Sequence, residues 1–246
     1  MRSRTLALGS VLVCLATLLV QPGCGKKAEK EPEEIKTLPD SLVSFRQKID
    51  WLIPRSFESL EYACQNKADV EIDAAISLHA FVPAEKFLGI FEGVTVQFKR
   101  LYYGYEIFSS VFTVDPTLPI DSTLALLQLE ARSRLAEQIR YAEEQVGNVT
   151  DDLQRQSVER ELGGLKAGLA EIEANGVMLY GAEVRAYPED LKGLMFRPEG
   201  LIRVIFPGVP TDGSWVRISP FHFDRMMQAD QAAADARAAG GAPGAP

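Results

Sequence analysis

The chain has 246 residues, of which 46% are apolar and 24% charged, and these values exclude a collagen-like, disulfide-dense or wholly disordered protein. Its 26 basic and 34 acidic side chains give a net charge of −8, so we expect no nucleic acid partner, because such binding requires a basic surface. Three cysteines and two histidines offer few ligands for a transition metal, and we expect neither a metal nor a cofactor.

Residues 1–23 have the three parts of an export signal. Arg2 and Arg4 form a basic start, 6–20 is an uncharged and mostly apolar run, and a Pro-Gly pair follows it. The apolar run is shorter than the about 20 residues that a membrane-spanning helix needs. A basic start, a short apolar run and a small residue at its end are typical of a secretory signal peptide.

The junction Gly23-Cys24 resembles the lipobox of bacterial lipoproteins. The resemblance implies cleavage between Gly23 and Cys24, a lipid on Cys24, and a protein anchored to a membrane of the bacterial cell envelope, facing the periplasm or the exterior. An ordinary secretory signal and an uncleaved anchor are the alternatives. The charged segment 24–37 has no aromatic residue and is expected to be a polar tether behind the lipid.

Segment 38–120 is predicted to be the first half of an α+β domain. Apolar and polar residues alternate over 70–82, which is typical of a half-buried strand. A proline then begins a short helix over 83–93, with a glycine placed to end it. Two further strands are predicted, one over 94–99 and one over 105–114.

Segment 121–175 is predicted to be helical, because it lacks proline and is rich in strong helix formers. Its apolar residues recur every three or four positions, as in a coiled coil, except for a step of five between Leu153 and Val158. A Gly-Asn pair followed by a Thr-Asp-Asp sequence indicates a helix end and a new N-cap. We favour two antiparallel helices, 121–147 and 151–175, over a single long helix.

Segment 176–228 is predicted to repeat the pattern of the first half. A strand is expected over 177–187, a proline-started helix over 188–195, and a second strand over 201–206. The tail 229–246 is rich in alanine, glycine and proline. We expect its first part to extend a helix that begins near residue 223 and its last eight residues to be disordered.

The two halves predict an α+β fold in which two β-α-β half-units form one sheet with helices on one face, in the style of ferredoxin-like folds. The helical hairpin or coiled coil is inserted between the halves. In each half, a strand is followed by a helix that begins at proline, then by a glycine and a second strand. This order is common in proteins, so the two halves are either an internal duplication or a chance repetition of a common pattern.

Few residues of the chain suggest chemistry. His79 falls on the polar side of its predicted strand and is interpreted as a surface residue, whereas His222 lies between phenylalanines and is interpreted as packed. Cys64 follows apolar residues at helical spacing and is interpreted as a small buried residue. The sequence has no zinc-protease, Walker or nucleophile-elbow motif, and we therefore predict no catalytic residue and no enzyme.

Tyr102, Tyr103 and Tyr105 cluster near a strand end and are candidate anchors for a protein partner, although alternate members of such a group also fill a core. We predict a lipid-anchored, non-enzymatic scaffold or partner-binding protein that uses the hairpin 121–175 for self-association or for an envelope partner. An extracytoplasmic ligand-binding or sensory domain is the first alternative, and a hydrolase with an unrecognised site is the second. An exposed apolar stripe on the hairpin would favour the scaffold, and a closed apolar pocket would favour the ligand-binding domain.

Overall fold

A five-stranded antiparallel sheet and six helices form the described part of this computed structural model. The mixture of helices with an antiparallel sheet confirms the α+β class. The predicted signal peptide, the Gly23-Cys24 junction, the tether and the last eight residues lie outside the described residues. The structure describes residues 44–105, 108–197, 200–208 and 217–238.

The sheet has the strand order β3-β2-β4-β1-β5, and each neighbouring pair of strands is antiparallel. A strand of the second half, β4, therefore lies between the two long strands of the first half. The register places opposite charges side by side, with Glu183 opposite Arg100 and Arg185 opposite Asp73. The strands are β1 (Ile72–Pro83), β2 (Val96–Tyr105), β3 (Phe108–Thr113), β4 (Met178–Ala186) and β5 (Ile202–Pro207).

The helices begin at residues that suit helix starts. Ser44 forms a capping box with Gln47 in front of α1, and the Asp151 side chain caps α4 by accepting a hydrogen bond from the Gln154 backbone N–H. Gly176 ends α4 with φ +77°, a conformation that favours glycine. The helices are α1 (Phe45–Asn66), α2 (Ala84–Ile90), α3 (Ile120–Asn148), α4 (Asp152–Asn175), α5 (Pro188–Met195) and α6 (Pro220–Ala238).

The two faces of the sheet belong to different core clusters, because successive side chains of a strand point to opposite faces. Ile76, Leu101 and Val184 belong to the larger cluster, together with buried residues of α2, α3, α4 and α5. Their neighbours Ala75 and Tyr102 belong to a smaller cluster on the opposite face. We call these the helix-covered face and the charged face, since the second carries the ion pairs described below.

Helix α1 contacts the edge strand β5 and supplies residues to both clusters. Leu60 belongs to the larger cluster, whereas Leu52 belongs to the smaller one, on the charged face. The expectation that helices lie only on one face of the sheet is therefore incomplete. The opposite edge of the sheet is β3, which pairs with β2 alone among the named strands.

Two predicted boundaries differ from the structure. Tyr105 was expected to begin the third strand but ends β2, because residues 100–105 pair with residues 108–113 and this pairing prolongs the strand. Val70 was expected to belong to the first strand but is 58% exposed and precedes β1. The segment 121–175 forms two helices and not one, since the chain leaves the helix between Asn148 and Asp152.

Candidate functional site

Helices α3 and α4 lie antiparallel and contact each other along their length. Two ion pairs join them: Arg132 Nη2 lies 3.2 Å from Glu173 Oε1, and Lys166 Nζ lies 2.7 Å from Glu143 Oε1. A later position in α3 thus pairs with an earlier position in α4. The buried side of the hairpin is formed by Thr123, Leu127, Ala131, Leu135 and Ala142 of α3 and by Leu165, Gly168 and Ile172 of α4.

The outer part of the hairpin contains no fully buried residue. From residue 143 to residue 164 every residue is exposed or only partly buried, and we call this stretch the distal hairpin. Val158 and Leu162 are partly buried and pack against the larger core cluster. The distal hairpin is thus held by its own helix pairing and by partial contacts, unlike the base of the hairpin, which contributes to the core.

Large apolar side chains are exposed on both helices of the hairpin. Leu129, Tyr141 and Leu153 are 66%, 63% and 76% exposed, and Leu126 is also exposed. Leu126 and Leu129 are three positions apart and lie on one side of α3. Exposed apolar groups of this size are available for contact with another protein.

Tyr141 also lines an open groove of about 430 Å³ between α3 and the edge strand β3. Phe108 and Ser109 contribute from the strand, and Arg134 and Gln138 contribute from the helix. The lining mixes aromatic, hydroxyl and charged groups. The groove is open to solvent, so it differs from the closed apolar pocket that a small-molecule site would favour.

The candidate tyrosines do not form one exposed cluster. Tyr102 and Tyr103 are completely buried, on opposite faces of the sheet, so both rings fill the two cores and neither presents a surface to a partner. Burial raises the pKa of Tyr103, whose hydroxyl lies 3.4 Å from Glu130 of α3. Tyr105 is half-buried at the end of β2, where its ring lies against Gly168 of α4.

The charged face is built around Glu183, a buried carboxylate that three side chains hold. The Tyr102 hydroxyl and Arg217 Nη2 each donate to Oε1 at 2.8 Å, and Arg100 Nη1 donates to Oε2 at 3.0 Å. Burial and the neighbouring carboxylate raise the pKa of Tyr102, which keeps its hydroxyl protonated as a donor. Two guanidinium groups and a hydroxyl compensate for the desolvation of Glu183.

A second charged cluster lies on the same face, nearer to solvent. Lys99 Nζ donates to both oxygens of Asp73 at 2.7 Å, and Arg185 Nε donates to Oδ1 at 2.8 Å. Burial opposes ionisation of Asp73, but the hydrogen bonds from Arg185 and Lys99 outweigh it and lower the pKa of this carboxyl. Glu183 and Asp73 thus each have two cationic partners.

The remaining candidates are placed as follows. Cys64 is buried in α1, which confirms its interpretation, and burial together with nearby Glu189 raises the pKa of its thiol to about 11. His79 is exposed, as expected. His222 was expected to be packed but is exposed, since it lies in the first turn of α6 and its Nδ1 lies 2.8 Å from Ser219 Oγ.

Within the described ranges, no group of histidine, cysteine, aspartate and glutamate side chains is placed to hold a metal ion. Of the helices that the structure describes, none has both the length and the apolar character to cross a membrane. No family model matches the chain, and no curated protein or solved structure shows significant similarity to it.

The charged face was not predicted from the sequence. Glu183 and Arg185 alternate with small and apolar residues in β4, so the polar side of that strand was visible. Lys99 and Arg100 are adjacent in β2, and the strand pairing is irregular between Phe98 and Arg100, which the sequence does not show. What was not visible is that β4 lies between β1 and β2. That arrangement brings a carboxylate of one strand to the cations of another.

Proposed function

We propose that this protein is a lipid-anchored, non-enzymatic protein of the bacterial cell envelope that binds a protein partner through its helical hairpin. The proposal joins the lipobox-like Gly23-Cys24 junction to one structural observation. That observation is the exposure of large apolar side chains on the hairpin, of which Leu129, Tyr141 and Leu153 are each more than half exposed. Apolar side chains that are exposed to water on a helix pair favour association with another helix, because association removes them from water.

The finer fold that we propose is a ferredoxin-like unit with an inserted coiled coil. Two half-units, β1-α2-β2 and β4-α5-β5, share one sheet, and the order β2-β4-β1-β5 supports a split β-α-β arrangement in each half. Antiparallel packing of α3 on α4, with apolar residues every three or four positions, supports the coiled coil. In this arrangement the insertion follows β3 and precedes β4.

The surface that we propose for the partner combines Tyr141 with the groove at β3. A partner helix that packs along α3 would cover Tyr141, and one of its side chains would enter the groove beside Phe108 and Gln138. Aromatic side chains in such positions are frequent anchors of protein interfaces. The mixed charges along the hairpin, such as Glu143, Arg155 and Lys166, suit recognition of a second helix rather than insertion into lipid.

Cross-linking in intact cells tests the interface. Cysteines introduced singly at Tyr141 and Leu153 are expected to form cross-links, either to a second copy of the chain or to an envelope protein. A cysteine at Phe196 is the matched control, because this apolar residue is 75% exposed but lies after α5, away from the hairpin sequence. Light scattering on the full chain in detergent separates self-association from a different partner. A monomer that cross-links no better at 141 and 153 than at 196 would overturn the proposal.

The lipid anchor is tested separately. Mass spectrometry of the mature protein is expected to find a modified Cys24 at the N-terminus, and Cys24→Ala is expected to release the protein from membranes or to leave an unprocessed precursor. Ser3→Ala is a control change in the same predicted signal and should leave processing intact. An unmodified Cys24 in the mature protein contradicts the anchor but leaves the hairpin proposal standing.

A further inference from the structure

Arg203 of β5 is a half-buried side chain on the charged face that forms no ion pair among the described residues, although the charge of Asp224 in α6 acts on it. Its Nη2 donates to Ser77 Oγ and, at 2.7 Å, to the backbone oxygen of Ile218. Its guanidinium carbon lies 4.3 Å from the centre of the Phe223 ring of α6. Its other terminal nitrogen, Nη1, is buried and has no hydrogen-bond partner in the described part of the chain.

Arg217 also has a buried nitrogen without a hydrogen-bond partner among the described residues. Its Nη2 donates to Glu183, but its Nε is buried and no described residue accepts a hydrogen bond from it. The Tyr180 hydroxyl donates to the Arg217 backbone oxygen at 3.0 Å. Burial raises the pKa of Tyr180 to about 12, while the charges of Arg203 and Arg217 both act to lower it, so both guanidinium groups lie near this one ring.

A desolvated cation without an ion-pair partner is energetically unfavourable, and native proteins satisfy nearly all their buried donors. Desolvation lowers the pKa of Arg203 to about 10, so the side chain still carries its charge at neutral pH. The other arginines of this face differ, since Arg100 pairs with Glu183 and Arg185 pairs with Asp73. The face therefore keeps two buried donors, one on Arg203 and one on Arg217, for which no described residue supplies an acceptor.

The surroundings of the two arginines suit an anion. Arg203 holds the backbone of Ile218 two residues before α6 begins, so its positive charge lies near the N-terminus of a 19-residue helix. The N-terminus of a helix carries partial positive charge, and the planar fork of a guanidinium matches the oxygens of carboxylate and phosphate groups. Ser77, which is fully buried beside Arg203, adds a hydroxyl.

We propose that Arg203 and Arg217 bind an oxyanion, the carboxylate or phosphate group of a small ligand, on the charged face at the start of α6. The ligand oxygens would accept hydrogen bonds from Arg203 Nη1 and Arg217 Nε and would add negative charge beside the two guanidinium groups. This site is independent of the hairpin interface proposed above, because its residues belong to β5 and to the segment that leads into α6.

The experiment is isothermal titration calorimetry on the purified full chain in a non-ionic detergent, with inorganic phosphate and with acetate as separate probes and chloride at equal ionic strength as the reference. We expect phosphate, acetate or both to bind above the chloride reference. Arg203→Met and Arg217→Met are each expected to weaken that binding about tenfold or more, because each removes charge-assisted hydrogen bonds. Arg185→Met is the matched control, since Arg185 lies on the same face but already pairs with Asp73, and it should bind like the wild type.

The two probes distinguish the ligand class, since binding of phosphate alone indicates a phosphorylated ligand or headgroup and binding of acetate alone indicates an organic acid. Arg203→Lys keeps the charge but loses the planar fork, and it is expected to weaken binding even if Arg203→Met does not fold. A wild-type chain that binds neither probe above the chloride reference overturns the proposal, whatever the variants do. Wild-type affinity in Arg203→Lys and in Arg217→Met also overturns it.

Discussion

The sheet and the distal hairpin bury their side chains in opposite ways. Five successive residues of β1, from Ala74 to Leu78, are all buried, because both faces of the sheet are covered at that point. Across the 22 residues from 143 to 164, none is fully buried. Burial of apolar side chains is the main source of folding free energy. The difference indicates that the sheet supplies most of the stability of the fold, whereas the distal hairpin contributes little to stability and exposes its side chains to solvent.

The contacts that hold the distal hairpin agree with this division. The ion pair between Lys166 and Glu143 and the pair between Arg155 and Asp152 are both exposed, and pairs of that kind contribute about 0 to 1 kcal/mol each. On the sheet, Glu183 is buried beneath Arg100 and Arg217. The same types of charged group are thus structural in one region and solvated in the other.

The largest contrast is expected for apolar truncations. Leu101→Ala removes a fully buried side chain of the sheet and should lower the free energy of unfolding by about 3 kcal/mol, since a cavity remains in the core. Leu153→Ala, at a position that is 76% exposed, should change it by less than about 0.5 kcal/mol. Urea unfolding followed by circular dichroism measures both. Equal losses in the two variants would erase the distinction between the regions.

Glu183→Gln is expected to have the next largest effect, about 2 to 3 kcal/mol of lost stability. The substitution keeps the shape of the side chain but leaves Arg100 and Arg217 without their carboxylate on a buried site. Glu144→Gln, on the exposed outer part of α3, serves as the control and should leave urea unfolding unchanged. A stability of Glu183→Gln equal to that of the control would mean that the network on the charged face is not structural.

Asp73→Asn should cost about 1 kcal/mol at pH 7, because the ion pairs with Lys99 and Arg185 are partly exposed. The pKa of Asp73 is lowered in the folded state, so its contribution is complete above the unfolded pKa of about 4 and is lost as the pH falls through the lower folded value. The difference in thermal midpoint between wild type and variant should therefore shrink as the pH falls below about 4. A difference that stays constant down to pH 2 contradicts this assignment.

The smallest expected effect concerns the reactivity of a thiol and involves no loss of stability. The raised pKa and the burial of Cys64 predict slow alkylation by iodoacetamide at pH 8, at least about tenfold slower than in denaturant. A cysteine introduced at Leu153 should react at the rate of the unfolded chain. Peptide mass spectrometry follows the two positions separately. Fast labelling of Cys64 in the folded chain would show that α1 opens, which would place α1 with the less stable part of the molecule.

Local signals in the sequence predicted the elements that have clear boundaries. The proline that begins α5 and the Asp151 cap of α4 fixed two helix starts, and both agree with the structure to within one residue. Helix α1 was not predicted as an element. Pro54 in its interior weakens the helical pattern, although Ser44 and Gln47 form a capping box whose residue types were visible in the sequence.

The candidate site depended on information that local patterns do not contain. The tyrosine cluster was interpreted as a group whose alternate members fill a core, but the sequence could not show that both faces of the sheet are covered, which depends on where Leu52 of α1 packs. The partners of Glu183 come from β2 and from the segment before α6. Such pairings follow from the order of the strands, and that order is set by the packing of the whole sheet.

Thermal unfolding of a shortened chain tests most directly whether the distal hairpin is separate from the folded core. Residues 143–164 are replaced by a short Gly-Ser linker in the full chain, which removes no fully buried residue. We expect a single cooperative transition whose midpoint lies within about 5 °C of the wild type, because a loss of 1 kcal/mol shifts a domain of this size by about 2 to 4 °C. Loss of the cooperative transition, or a fall of the midpoint by about 15 °C or more, would show that the distal hairpin belongs to the core.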